Sequence, residues 1–188
     1  MQRIEPLSTW QTWNLGGEFP RWNECLRDGT QVLVRPLVAS DAEAERAFIE
    51  SLSADSKRFR FLGQIGHPSD EMIRRLTHVD VPRDIAFAAI TQAADGEKII
   101  GVSRYGGSAD GSACEFAVTV RDEWQHRGVG TLLLTHLLQV AKGRGIKRMW
   151  SIDAANNTRM NQLGRYFGFE RHPDPQDATQ VIHSLWLD

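Results

Sequence analysis

The chain has 188 residues, 41% of them apolar and 24% charged, with a formal net charge of −2 at neutral pH. This length supports one compact domain that buries most of its surface without metals or disulfides, and the near-neutral balance excludes the basic field on which nucleic-acid binding depends. Cys25 and Cys114 stand far apart outside any CxxC, which excludes a disulfide framework and a zinc site; with no leader pattern in MQRIEPLSTWQTW and no stretch near the ~18 apolar residues of a membrane span, the expected setting is the reducing cytoplasm.

Residues 1–28 carry Trp10, Trp13 and Trp22 among Gly, Pro and Asn without a period. They read as an irregular N-terminal arm that packs against a single domain over 29–188, or else exposes its aromatics to a second copy, so that monomer and homodimer both stay open. A turn at Asp28-Gly29 leads into a strand through Val32, Val34 and Leu37. Ser40 and Glu43 have capping-box spacing, and a helix over about 41–52 follows with Ala44, Ala47, Phe48 and Leu52 at helical intervals. SADSKRFRFLG reads as a loop, and a second helix opens near Ser69 with Met72, Ile73 and Leu76 on its buried side.

DIAFAAITQA and KIIGVSRYGG, joined by the turn DGE, predict a hairpin, and ACEFAVTV follows as the next strand. Leu133, Leu134, Leu137, Leu138 and Ala141 mark an amphipathic helix from Gly128 to Lys142, ended by KGRG. IKRMWSIDA is a strand, NNTRMNQLGRYFG a helix with Met160, Leu163 and Phe167 on one face, and TQVIHSLWL a last strand. The order predicts a mixed α/β (α+β) fold with a mostly antiparallel central sheet, flanking helices and one βαβ crossover.

That crossover contains VRDEWQHRGVGTLLL, a strand end that turns through glycines into a helix. Such a junction gathers unpaired backbone N–H groups and the positive end of the helix dipole at one point, which suits a phosphate; glycine keeps a Cβ from blocking the oxyanion's approach. A Walker loop, GxxxxGK[ST], is absent, and a dinucleotide fingerprint fails because Leu133 stands where GxGxxG needs its third glycine. The pattern left is Q-x-x-G-x-G over Gln125, His126, Arg127, Gly128, Val129 and Gly130.

This segment resembles the acetyl-CoA loop of the GNAT superfamily of N-acetyltransferases, and NNTRMNQLGRYFGFE is similar to that superfamily's late helix ending in a Gly-Phe pair, here Gly168-Phe169. The element order agrees from about residue 30 to 187. LRDGTQVLVRPL, SLSADSKRFRFLG, EFAVTVRDEWQHRGVGTLL and AANNTRMNQLGRYFGF together look like the acetyltransferase domain of bacterial Pat-type protein lysine acetyltransferases.

The resemblance implies that the backbone N–H groups of Arg127, Gly128, Val129, Gly130 and Thr131 cradle the CoA pyrophosphate, with Gln125 and His126 at the rim and the Arg127 guanidinium as a further contact. It implies main-chain pairing of Val118 and Val120 with the pantetheine arm, an N–H near Val118 that polarises the thioester carbonyl, and a side-chain contact from Asn157. For Arg127 and His126 a solvated loop is the competing reading, and for Asn157 a helix cap.

An amine acceptor has to lose a proton. With a lysine pKa near 10.4, about one amine in 2,500 is neutral at pH 7, a penalty of ~4.6 kcal/mol. Strand alternation sets Phe116, Val118 and Val120 on one face and Glu115, Ala117 and Thr119 on the other, which places a carboxylate in an otherwise apolar or small run. Ten residues before Gln125, Glu115 is similar to the strand-borne glutamate that serves many superfamily members as general base; an inert hydrogen-bonded glutamate is the alternative.

Many superfamily enzymes protonate the departing thiolate with a tyrosine in the late helix, but Gly164 occupies that position here. Tyr166 lies about 200° round the helix from it and reads as core or interface. A thiol pKa near 8.5 makes the loss tolerable, with Tyr105 or water as other proton sources. The six histidines show no metal spacing, so no metal is expected. The expected activity is acetyl transfer from acetyl-CoA to an amine in a ternary complex, with a protein lysine as acceptor, no nucleic acid and no membrane. A small-molecule amine is the alternative acceptor and a non-catalytic acyl-CoA sensor the alternative role. The acceptor pocket is expected to draw on residues 55–70 and 103–113.

Overall fold

The structure is a computed structural model and describes residues 20–187 apart from Gln64, Pro82 and Asp95. Trp10 and Trp13 lie outside the described residues. Among these, the strands β1 (Trp22–Cys25), β2 (Gln31–Pro36), β3 (Asp84–Ala93), β4 (Gly96–Gly107), β5 (Ala113–Val120), β6 (Arg148–Ala154), β7 (Glu170–Pro173) and β8 (Gln180–Trp186) form one sheet in the order β1-β2-β3-β4-β5-β6-β8-β7. Neighbours pair antiparallel except β5 and β6, which run parallel. The helices are α1 (Ala42–Ser51), α2 (Ala54–Phe61), α3 (Asp70–Thr77), α4 (Val129–Gly143) and α5 (Thr158–Phe167).

The leucine stripe of α4 is buried as its period predicts: Leu133, Leu134 and Leu137 are fully inaccessible and pack with Val34, Phe87 and Phe116 of the sheet and Met160 of α5. On the opposite face Phe48 and Ile49 of α1 and Ile73 of α3 pack on Ala88 and Val102. The run from Ile85 to Ile90 is buried on both faces, as expected of a central strand with helices above and below. The crossover β5–α4–β6 supplies the βαβ unit, and Gly101 on β4 lets α4 come close: a Cβ there would sit 2.9 Å from Leu133 Cδ1.

Several expectations need correction. Residues 22–25, placed in an irregular arm, form edge strand β1, because Trp22 gains a buried face by stacking on His136 and packing edge-on to Phe87. The loop SADSKRFRFLG contains helix α2, and residues 170–173 form strand β7. The entry to α1 is held not by Ser40 but by Asp41, whose carboxylate accepts the Val38 N–H (2.9 Å) and pairs with both Arg35 Nη atoms (2.7 and 2.8 Å). Ala44 and Ala47 are exposed, whereas Glu45 is buried and ion-paired to Arg104 at 3.4 Å.

Candidate active site

The parallel pairing of β5 and β6 ends at Glu115 opposite Trp150, while β5 continues to Val120 paired only with β4. Arg121 N–H donates to the Ile100 carbonyl at 2.9 Å, so antiparallel alternation turns the backbone groups of Phe116, Val118 and Val120 toward the β6 side. A cavity of about 540 Å³ fills the gap between the splayed strands and extends past Ser151 and Asp153 of β6 to Asn157 and α2. That is within the usual range for small-molecule sites.

The glycine junction closes one end of this cavity. Asp122–Trp124 form a 3-10 turn, His126 (φ 59°) and Gly128 (φ 95°) take left-handed conformations, and Gly128 is the N-cap of α4. The first helical bond runs from Leu132 N–H to Gly128 C=O at 2.9 Å, so the N–H groups of Val129, Gly130 and Thr131 emerge unpaired from the helix end. His126, Gly128, Gly130 and Thr131 line the cavity, and the Val129 side chain, 1% exposed, anchors the turn in the core.

Three side chains expected to face a ligand are otherwise engaged. The Arg127 guanidinium points away from the cavity: Nε donates to Asp28 Oδ2 at 2.9 Å, Nη2 reaches Thr30 Oγ1, and the group lies 4.1 Å over the Trp124 ring. It therefore ties the loop to the β1–β2 turn, and only its backbone N–H remains for an anion. Gln125 Nε2 donates to the Val120 carbonyl at 3.1 Å and to Ser56 Oγ at 3.3 Å, while its carbonyl accepts from Arg159, so Gln125 links β5, α2 and α5. Asn157 is the N-cap of α5, its Oδ1 accepting Met160 N–H at 3.1 Å, and it lines the cavity; Nδ2 is the group it can offer a ligand.

Glu115 stands where the strands part, exposed toward the cavity. Phe116 belongs to the core under α4, whereas Thr119 reaches the small pocket beside Glu45 and Arg60, so the two faces of β5 are as alternation predicts. Partial desolvation at the cavity wall pushes the Glu115 carboxyl above the ordinary glutamate range, Arg60 draws it down in part, and the Asp153 carboxylate across the cavity adds to the rise. Arg60 itself is pushed down to about 10, by burial first and by the Arg104 cation next.

Tyr105 is removed from the reacting region: it is 2% exposed in the core and its hydroxyl accepts from Arg144 at 3.3 Å. Tyr166, expected in core or interface, is 71% exposed at the cavity rim. At Gly164 a Cβ would lie 3.0 Å from the His183 ring. Ser151, Asp153 and Arg159 are cavity residues that the sequence reading missed, whereas Arg60 lies in the expected segment 55–70, and the other expected segment, 103–113, is not among the lining residues. The alternation of Ser151 and Asp153 within SID on a strand was a usable signal, because two polar residues sharing one strand face need a polar neighbour. Among the described residues, no three His, Cys, Asp or Glu side chains are grouped to hold a metal ion, and no helix is long and apolar enough to cross a membrane.

The family model described as Acetyltransferase (GNAT) family matches residues 46–169. The chain is 42% identical over 171 residues to Acetyltransferase PA5475 of Pseudomonas aeruginosa, an alignment covering 90% of this chain and 91% of that protein. Its fold is similar to the GNAT domain of S. lividans PAT (TM-score 0.80, 30% identity, 90% of this chain and 100% of that one). It is also similar to a GNAT-family acetyltransferase from Streptococcus pneumoniae (TM-score 0.67, 18% identity, 84% and 99%), a likeness of fold alone.

Proposed function

The chain belongs to the GNAT family of acetyltransferases, and we propose that it transfers acetyl from acetyl-CoA to the ε-amine of a protein lysine, by direct attack with both substrates bound. The observation that carries this reading is the splay of β5 from β6, with free backbone groups along one wall, unpaired helix N–H groups at one end and Glu115 at the other. An extended amide-bearing arm, a pyrophosphate and a reacting thioester match those three features in that order. The residues present therefore fit acetyl-CoA.

In this arrangement the N–H groups of Val129, Gly130 and Thr131, with those of Arg127 and Gly128, hold the pyrophosphate at the positive end of α4. Val118 and Val120 pair with the arm, although the Val120 carbonyl already accepts from Gln125, which leaves its N–H as the freer group. The Val118 N–H polarises the acyl oxygen, and Asn157 Nδ2 steadies the arm. Glu115 takes the proton of the acceptor ammonium. Its raised pKa makes it a stronger base than an ordinary glutamate and narrows the ~6-unit gap to a lysine.

The resemblance to Pat-type enzymes over four separate segments, together with the likeness to the GNAT domain of S. lividans PAT, supports a protein lysine as acceptor. Two widely spaced cysteines without a partner suit a cytoplasmic setting. The test is CoA release from acetyl-CoA with lysine-bearing proteins and peptides beside polyamines, amino acids and aminoglycosides, followed by mass spectrometry of the acceptor. Acetyl-lysine in protein products is the expected result. Turnover only with small amines would move the acceptor class, and tight acetyl-CoA binding without turnover on any amine would make the protein a sensor.

A further inference from the structure

A thioester that loses its acyl group to an amine leaves behind a thiolate, and the side of the cavity opposite Glu115 holds an ordered polar chain that ends on α5. Ser151 and Asp153 follow directly on β6 after its last pair with β5, so Ser151 stands at the apex of the splay. Ser151 Oγ donates to Asp153 Oδ2 at 2.6 Å, and His183 Nδ1 donates to the same oxygen at 2.9 Å. Ser151 is 2% exposed and His183 1%.

The far side of the His183 ring meets a second polar partner. Its Nε2 lies 3.1 Å from Asn161 Oδ1. That amide cannot be reversed, because Arg171 Nε, a donor only, sits 3.1 Å from the same oxygen while Asn161 Nδ2 donates to the Ala155 carbonyl. Both ring nitrogens therefore face acceptors, an arrangement that a proton on each nitrogen satisfies. Asp153 is in direct contact with the ring, and Arg171, the cross-strand neighbour of His183 on β7, stands beyond Asn161. Gly164 adds no side chain, and the ring fills the space against it.

We propose that His183, Asp153 and Ser151 form a proton relay that delivers a proton to the CoA sulfur, completing the acetyl transfer proposed above, on which this inference rests. As the amine nitrogen bonds to the acyl carbon and the carbon–sulfur bond breaks, the bonding pair goes to sulfur. His183 Nδ1 passes its proton to Asp153 Oδ2, which releases the Ser151 hydroxyl to turn toward the sulfur; Ser151 gives its proton to the sulfur and takes the one on Asp153 in its place. The imidazole left behind recovers its proton from solvent. Glu115 has meanwhile taken one proton from the amine, so the enzyme gains and loses one in each turnover. Asp153 and His183 hold and aim the proton, and Ser151 is the residue that touches the reacting atom.

Two measurements test the relay. Imidazole 15N NMR of the protein, alone and with CoA added, is expected to show both His183 ring nitrogens protonated at neutral pH, with a shift on adding CoA that Ser151→Ala removes. In CoA-release kinetics, Ser151→Ala is expected to lower kcat about tenfold, leave the acetyl-CoA KM within twofold and remove the alkaline limb of the pH profile. The small effect follows from a leaving thiol whose pKa of ~8.5 needs only modest help. A neutral His183 ring overturns the relay whatever the kinetics, and so does Ser151→Ala with the wild-type kcat and pH profile. Wild-type protein that neither binds acetyl-CoA nor releases CoA overturns acetyl transfer itself, an outcome read on the unmutated protein.

Discussion

The His183 ring lies 3.0 Å from the point a Cβ would occupy at Gly164, so this position of α5 accommodates no side chain while the imidazole keeps its place. Gly164→Ala gains helix propensity of about 1 kcal/mol yet pushes the ring by a few tenths of an ångström, and the two effects nearly cancel. Gly164→Tyr has no such compensation. It is expected to destabilise the protein by about 1–3 kcal/mol in urea unfolding, and to leave acetyl-CoA turnover unimproved because it displaces the bond from His183 to Asp153.

Glu115→Gln keeps the size and removes the base. Its expected effect is a fall in kcat of about 10²–10⁴-fold with acetyl-CoA affinity intact. A base acts ionised, and partial desolvation at the cavity wall raises the Glu115 pKa. Wild-type activity should therefore climb with pH through a limb set above the ordinary glutamate value of about 4.3, and the variant should lack that limb. An unchanged rate and profile would remove Glu115 from the mechanism.

The two loop glycines give separable outcomes. At Gly130 a Cβ would meet Val120 and Leu163 at 3.7 and 3.8 Å, ordinary contacts, so Gly130→Ala should fold normally and any loss of acetyl-CoA affinity reads the approach of the pyrophosphate. Gly128 has open space around a Cβ but a φ of 95°, so Gly128→Ala is expected to cost about 1–2 kcal/mol through backbone strain. Gly128→Glu adds a negative charge at the helix N-terminus and should abolish acetyl-CoA binding in calorimetry without unfolding the domain.

Asp122 fastens α2 over the cavity. Its carboxylate accepts Ser53 N–H (2.9 Å), Ser53 Oγ (2.8 Å) and Ser56 Oγ (2.8 Å). Burial works against the charge, but these donors and Arg159 hold the carboxyl below the ordinary aspartate range. The folded pKa is thus lower than the unfolded one: the stabilisation is present above the ordinary value and is lost as pH falls through the lowered one. Asp122→Ala should cost about 1–2 kcal/mol at pH 7 in denaturant unfolding, and the difference from wild type should vanish in strong acid.

Much of this was legible in the sequence. The leucines of α4, the apolar run of β3 and the glycine junction each carry a local signal, because burial on one helical face, burial on both sheet faces and a left-handed N-cap all select residue types within a few positions of one another. Helix α2 carried almost none. Its eight residues include Asp55, Lys57, Arg58 and Arg60, and what holds it is Asp122, distant in the chain, together with the capping bond from Ser56 N–H to Ser53 Oγ. Strand β1 was hidden for the same reason, since the face that secures Trp22 is His136 on a helix more than a hundred residues later.

The sequence by itself determined the family, the order of the main strands and helices, the glycine junction at the start of α4 and the place of Glu115 on β5. These are properties of residue type and near-neighbour spacing. Only the tertiary structure decided which groups face the cavity. Arg127 looked like a ligand contact until Asp28 was seen to take its guanidinium, and Gly164 looked like an absence until the His183 ring was seen to fill its place. Both depend on residues the fold brings together, the loop before α4 against the β1–β2 turn in one case and α5 against β8 in the other. A side chain's hydrogen-bonding and steric commitments are made to whatever is nearest in space, and adjacency in sequence does not record them.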